Sequence, residues 1–149
     1  RLDTSTVPAI YDPPSDSART VSVSSKGTHG LQFGLVPLGS ISGMVYQDVD
    51  GDGELSTPDT PIDQAVLVLD EGQRTEVTRE GRFLFDNVRI GSHTISVLAP
   101  SLPDGAQLTG DATVEIVLTS SEPTRQVVYL VRVERRPEIR KVFSPKKRE

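Results

Sequence analysis

Short apolar segments bounded by turn residues constrain the fold of this chain more than any other feature. Seven such segments follow residue 38, and most of them alternate apolar with polar side chains, as in "RFLFD" and "HTISVL". Turn sequences such as "DEG", "REG" and "PDG" separate them at intervals of about 8–12 residues, a spacing typical of β-sandwiches and barrels. The segments span residues 40–46, 65–70, 74–78, 82–86, 93–98, 113–118 and 126–133. The sequence therefore predicts an all-β fold, an antiparallel β-sandwich.

Three regions are predicted along the chain. Residues 1–37 begin with a polar, proline-rich stretch and contain two strand-like runs, "TVSVS" and "LQFGLV", around the turn sequence "SKGTHG". Residues 38–133 form the main module, and residues 134–149 form a basic tail or linker. The tail is either a solvated terminus or a basic strip that docks on an acidic neighbour or an anionic surface. Because the chain starts at Arg1 and shows no signal peptide, we expect a fragment of a longer protein.

The uneven distribution of charge excludes some partners. Residues 132–149 carry eight Lys or Arg against three Glu, which leaves eight basic and 18 acidic residues in positions 1–131. So acidic a body argues against nucleic acid as a partner of the main module. No apolar run is long enough for direct insertion into a membrane. Without cysteine, neither a disulfide nor a thiolate metal site can form.

One loop carries the strongest candidate site. The segment "QDVDGDGELSTPD", residues 47–59, places Asp at every second position just after a predicted strand. Counted from Asp48 as position 1, oxygen-bearing residues occupy positions 1, 3, 5, 7, 9 and 12, and position 6 is glycine; these are the ligand positions and the sharp turn of an EF-hand calcium loop. The predicted calcium ligands are Asp48, Asp50, Asp52, Glu54 through its backbone carbonyl, Ser56 and Asp59.

Two features of this loop depart from an EF-hand. Position 12 is Asp59, whose side chain is shorter than the usual Glu, and the flanking sequences predict a strand and a proline turn instead of two helices. We therefore expect an isolated calcium loop on a β scaffold, with a Kd of about 10⁻⁴–10⁻³ M. The alternative is a solvated Asp/Gly-rich turn without an ion, which is a common structure. Magnesium fits less well because it retains more of its water.

Two stretches resemble a known type of bacterial surface module. "GSISGMVYQDVDGDGELSTPDTPIDQAVLVL" and "TREGRFLFDNVRIGSHTISVL" together resemble the B-type repeats of serine–aspartate-repeat adhesins and related collagen-adhesin B-type (carboxypeptidase-regulatory-like) domains. The resemblance covers about residues 38–133 and implies an immunoglobulin-like or transthyretin-like β-sandwich, repeated in tandem as a stalk and rigidified by calcium. It also implies that residues 1–37 include the last hairpin of a preceding repeat. Arg79 stands where the family often has Asp, and His93 where it has an aromatic residue.

The residues favour a structural or binding role over an enzymatic one. No "GxSxG", "HExxH" or P-loop pattern occurs, and no catalytic residue is predicted. We expect a non-enzymatic module, extracellular or on the cell surface, or alternatively in the periplasm. It would serve as a calcium-rigidified spacer or stalk between neighbouring tandem domains. The alternative is a ligand- or partner-binding module of a larger surface or secretion assembly, recognising another surface protein, a carbohydrate or a host ligand.

Overall fold

Ten β-strands grouped in two sheets form the part of the chain that the structure describes. The structure is a computed structural model and describes residues 1–13 and 18–134. Its strands are β1 (Tyr11–Asp12), β2 (Val36–Gln47), β3 (Thr60–Pro61), β4 (Val66–Leu69), β5 (Gln73–Glu76), β6 (Arg82–Arg89), β7 (Gly91–Val97), β8 (Ala106–Leu108), β9 (Thr113–Leu118) and β10 (Thr124–Val133). Two short 3₁₀ turns are the only helical elements in these residues. The predicted all-β sandwich is confirmed.

The first sheet is organised around β2, which pairs with four other strands. β1, β3 and β6 pair with it antiparallel, and β8 extends the sheet by pairing with β10. β10 itself lies parallel to β2, with the register Thr124 opposite Ser40 through Val131 opposite Gln47. This parallel pair is the one departure from the antiparallel pairing that the sequence predicts. It brings the end of β10 beside the start of the acidic loop.

The second sheet is wholly antiparallel, in the order β5-β4-β7-β9. A tight turn joins β4 to β5, in which the N–H of Gly72 donates to the carbonyl of Leu69 at 2.9 Å. The two central residues of this turn, Asp70 and Glu71, have φ angles of 49° and 58°. This left-handed geometry suits the right-handed twist of the two strands that the turn joins.

The core lies between the two sheets and follows the alternation of the sequence. Its buried side chains are Ile41, Val45, Ile62, Ala65, Leu67, Leu69, Val77, Phe83, Phe85, Val88, Ile95, Val97, Ile116, Leu118, Tyr129 and Val131. The hydroxyl of Tyr129 on β10 donates to the carbonyl of Ile95 on β7 at 3.1 Å, which connects the sheets. Burial raises the pKa of Tyr129 to about 12. The aromatic residues at 83, 85 and 129 thus serve packing.

Residues 18–35 contain no strand, so the prediction of strands at residues 20–24 and 31–36 is wrong except at Val36, where β2 begins. The chain turns back at Ser24, whose carbonyl accepts from the N–H of Gly27 at 3.3 Å, and Arg19 lies 5.5 Å from the ring centre of Phe33. Val23 is 74% exposed. Alternating apolar and polar side chains are compatible with a β-strand. A strand forms, however, only where its backbone also hydrogen-bonds to a partner strand. The assignment of residues 1–37 to a preceding repeat stays a prediction, and residues 135–149 of the predicted tail lie outside the described residues.

Candidate metal centre

The loop after β2 brings three predicted ligands together. One carboxylate oxygen from each of Asp48, Asp50 and Asp52 lies within 4.8 Å of the others. Asp48 directly follows β2, and its N–H donates to the carbonyl of Val131 on β10 at 2.9 Å, so the first ligand is fixed to the sheet. Gly53, at position 6, has a φ of +78°, the left-handed conformation that the loop pattern requires there.

Hydrogen bonds within the loop hold these carboxylates in place. Asp48 Oδ1 accepts from the N–H of Gly51 at 2.6 Å, and Asp52 Oδ1 accepts from the N–H of Glu54 at 2.8 Å. The hydroxyl of Ser56 donates to Asp50 Oδ2 at 3.2 Å. The loop is therefore ordered by its own backbone, with like charges held close to one another.

The second oxygen of Asp48 distinguishes this loop from an ordinary solvated turn. Asp48 is the one buried charged residue among those described, with 3% of its surface exposed. Its Oδ2 is also the only buried side-chain oxygen or nitrogen in the described residues that lacks a hydrogen bond. An ionised oxygen that loses water without gaining a donor is unfavourable. A divalent cation would supply the missing partner, and a hard cation such as calcium selects clustered carboxylate oxygens.

Asp59 at position 12 holds the loop closed from its far end. Its Oδ1 accepts from the N–H of Val49 at 3.0 Å, and its Oδ2 accepts from the N–H of Ser56 at 2.9 Å. Both oxygens thus bind backbone donors, and the carboxylate lies outside the three-residue cluster. The Glu54 carboxylate also lies outside it, which leaves open the backbone-carbonyl role assigned to that residue. All six residues stay predictions as calcium ligands, and the structure brings together the carboxylates of only three of them.

Arg132 on β10 is a residue of the site that the sequence did not indicate. Its Nη2 lies 3.6 Å from Asp48 Oδ2 and donates to the carbonyl of Gly51 at 3.1 Å. The first distance is too long for a hydrogen bond but places the guanidinium in an ion pair. Arg132 and the loop line an open depression at this end of the sandwich. Finding it required the parallel pairing of β10 with β2, which no local pattern reveals.

A second polar cluster lies on the other sheet and has a structural character. His93 Nδ1 is 2.6 Å from Asp70 Oδ2, and its Nε2 is 2.6 Å from the carbonyl oxygen of Arg89. Asp70 Oδ1 also accepts from the N–H of Thr94 at 2.8 Å. Both ring nitrogens face oxygen atoms, and a ring N–H on either side donates to the oxygen that it faces. The cluster anchors the β4–β5 turn to β7.

We expect this cluster to make the free energy of unfolding vary with pH in the acidic range, because of the Asp70 carboxylate. Partial burial alone would raise the pKa of Asp70, but hydrogen bonds from His93 and Thr94 and the charge of His93 outweigh it and hold that pKa below 3.8. The folded state then binds fewer protons than the unfolded state, so this contribution is complete above the unfolded pKa and is lost as pH falls through the lower folded one.

We expect Asp70→Asn to lower the free energy of unfolding at pH 6. The difference between the wild type and this variant should become smaller below about pH 4. Urea midpoints at pH 6 and pH 3 measure the effect. Asp86→Asn, which removes an exposed carboxylate on β6, is the matched control and should show a smaller effect. An equal wild-type advantage over Asp70→Asn at both pH values would contradict the Asp70 contact.

The fold and this loop define the chain as a β-sandwich module with an acidic loop at one end of its first sheet. No helix among the described residues is long and apolar enough to cross a membrane. No family model matches the chain, and no curated protein matches it either.

Solved structures do show similarity. GBS52, the minor pilin of Streptococcus agalactiae, is 14% identical with a TM-score of 0.52 over 77% of this chain and 51% of that chain. The group B streptococcus pilus 2b backbone protein is 11% identical, with a TM-score of 0.49 over 68% of this chain and 43% of that chain. This chain therefore spans about half the length of these structures or less. The likeness to GBS52 agrees with the β-sandwich fold.

Proposed function

We propose that this chain is a non-enzymatic, extracytoplasmic β-sandwich module that serves as a calcium-rigidified spacer or stalk element of a bacterial surface protein. The fold it shares with a minor pilin supports a structural role. The B-type adhesin resemblance of residues 38–133 supports the same role, with neighbouring domains of the chain as its partners. The observation that carries the calcium part is the buried Oδ2 of Asp48, which has no hydrogen bond and lies within a cluster of three carboxylates.

Calcium would stiffen the module where the chain leaves it. Before the loop, the N–H of Asp48 donates to the carbonyl of Val131, two residues before the end of β10. After the loop, the N–H of Ile62 donates to the carbonyl of Val45 on β2 at 3.0 Å. An ion bound to Asp48, Asp50 and Asp52 would hold the loop against both strands. The exit of β10 would then have a fixed direction relative to β2, as a spacer between tandem domains requires.

The stabilisation by calcium follows from linkage. An ion that binds only the folded loop stabilises it by about 2.7 kcal/mol when calcium is at 100 times its Kd. For a domain of this size, such a change raises the melting temperature by about 10–20 °C. With a Kd of about 10⁻⁴ M, 10 mM calcium reaches this ratio.

We therefore expect the wild type to melt about 5–20 °C higher in 10 mM calcium than in chelator, the range following from the expected Kd. Asp48→Ala with Asp52→Ala should remove this difference. Asp104→Ala with Glu115→Ala, which deletes two exposed carboxylates outside the loop, should retain it. Differential scanning calorimetry measures all six conditions. Identical wild-type melts with and without calcium would rule out the calcium role.

A further inference from the structure

Arg132 places a positive charge beside the buried carboxylate of Asp48. Its guanidinium is the one cation in an ion pair with the loop among the described residues. The Asp48 side chain is fully buried, whereas the Arg132 side chain is 54% exposed. A half-exposed arginine can leave its partner for water with little rearrangement, because its long stem is flexible.

The contact between Arg132 and Asp48 is incomplete. The 3.6 Å separation is an ion pair without a hydrogen bond, and the guanidinium donates instead to the carbonyl of Gly51 at 3.1 Å. Asp48 Oδ2 therefore keeps its lone pairs free for a closer ligand. The arginine compensates the negative charge of the loop without filling the coordination position.

We propose that Arg132 is an internal counter-ion of the loop, which a divalent cation must displace when it binds. This inference rests on the proposed calcium site and adds its regulation. A calcium ion and a guanidinium at Asp48 Oδ2 would repel each other across a few ångströms, so the close approach of the ion favours departure of the guanidinium. Arg132 lowers the affinity for calcium and keeps the loop ordered without it.

Displacement of Arg132 also connects the ion to the end of the module. Arg132 lies one residue before the last residue of β10, and the N–H of Glu134 donates to the carbonyl of Gly105 at 3.0 Å. Calcium would release the side chain that holds Gly51 to β10, while the hydrogen bond from the N–H of Asp48 to the carbonyl of Val131 keeps the loop on that strand. The state of the loop thus changes the contacts of the strand that leads to the next segment.

The affinity for calcium provides the test. We expect Arg132→Gln to bind calcium about tenfold more tightly than the wild type, because one nearby positive charge is removed. Arg132→Lys keeps the charge and should stay nearer the wild type. Arg125→Gln removes an exposed arginine from the same strand, one that pairs with Glu122, and should change the affinity less than twofold. Isothermal titration calorimetry with calcium chloride measures all four proteins.

Melting curves give a second signature. In chelator, Arg132→Gln should melt below the wild type, because the charge of Asp48 loses its compensation. In saturating calcium this deficit should disappear or reverse. An added readout on the wild type is the exchange rate of the Arg132 Nε–H, measured by NMR, which should rise when calcium is added.

The outcomes separate this inference from the proposed function. Calcium binding by the wild type with an unchanged or weaker affinity in Arg132→Gln overturns the counter-ion role and leaves the metal site standing. An unchanged Arg132 Nε–H signal in calcium-bound wild type also overturns that role. Binding by Arg132→Gln alone supports it. Absence of calcium binding in both proteins overturns the site and the counter-ion together.

Discussion

Replacing Gly43 by alanine should lower the free energy of unfolding by about 3 kcal/mol or prevent folding. Gly43 lies in β2 between Val127 on β10 and Phe83 on β6. A Cβ at this position would overlap the carbonyl oxygen of Val127 and lie 2.5 Å from Cζ of Phe83. The first clash involves backbone, so only separation of the two strands relieves it. Urea unfolding measures the loss.

Two variants show which contact is responsible. Gly110→Ala, at a glycine with no atom within 4 Å of the added carbon, should change stability by about 0.5 kcal/mol or less. Gly43→Ala combined with Phe83→Leu relieves part of the side-chain overlap but not the carbonyl clash, so it should remain unstable. A Gly43→Ala protein that unfolds at the wild-type urea concentration would contradict the close parallel pairing of β2 and β10.

The strands could be predicted from sequence because their signal is local. The segment at residues 113–118 matches β9, and the alternation in "RFLFD" matches the burial of Phe83 and Phe85 on β6. Strands β1, β3 and β8 were missed because two or three residues carry no alternation. The parallel pairing of β2 with β10 joins residues more than 80 positions apart, so no turn sequence specifies it.

In the candidate site, too, only the features that depend on local sequence could be predicted. The spacing of Asp48, Asp50 and Asp52 is local, and the structure brings these three side chains together. The contact of Arg132 with Asp48 depends on the long-range strand pairing and could not be predicted. The bracing role of Asp59 depends on where backbone N–H groups point after the loop closes, which residue types alone do not specify.

Replacing Phe85 by alanine should lower the free energy of unfolding by about 3–5 kcal/mol. Phe85 is completely buried, pairs with Ile41 across β6 and β2, and has its ring centre 6.1 Å from that of Phe83. Truncation would leave a cavity between the two sheets that rigid strands cannot close. Because native domains are stable by only about 5–15 kcal/mol, this one change removes a large share of the total.

The adjacent residue tests whether burial, and not the loss of a large apolar side chain from β6, causes this effect. Leu84 points to the opposite face of the sheet and is 55% exposed, so Leu84→Ala should change stability by about 0.5 kcal/mol. Urea midpoints, with the slope of each transition checked for constancy, compare the two variants. Similar losses for Phe85→Ala and Leu84→Ala would contradict a single core between the sheets. A large loss of stability for Phe85→Ala alone would support the inward orientation of Phe85. The packing of β6 beside β2 depends on this orientation, and β2 leads into the acidic loop.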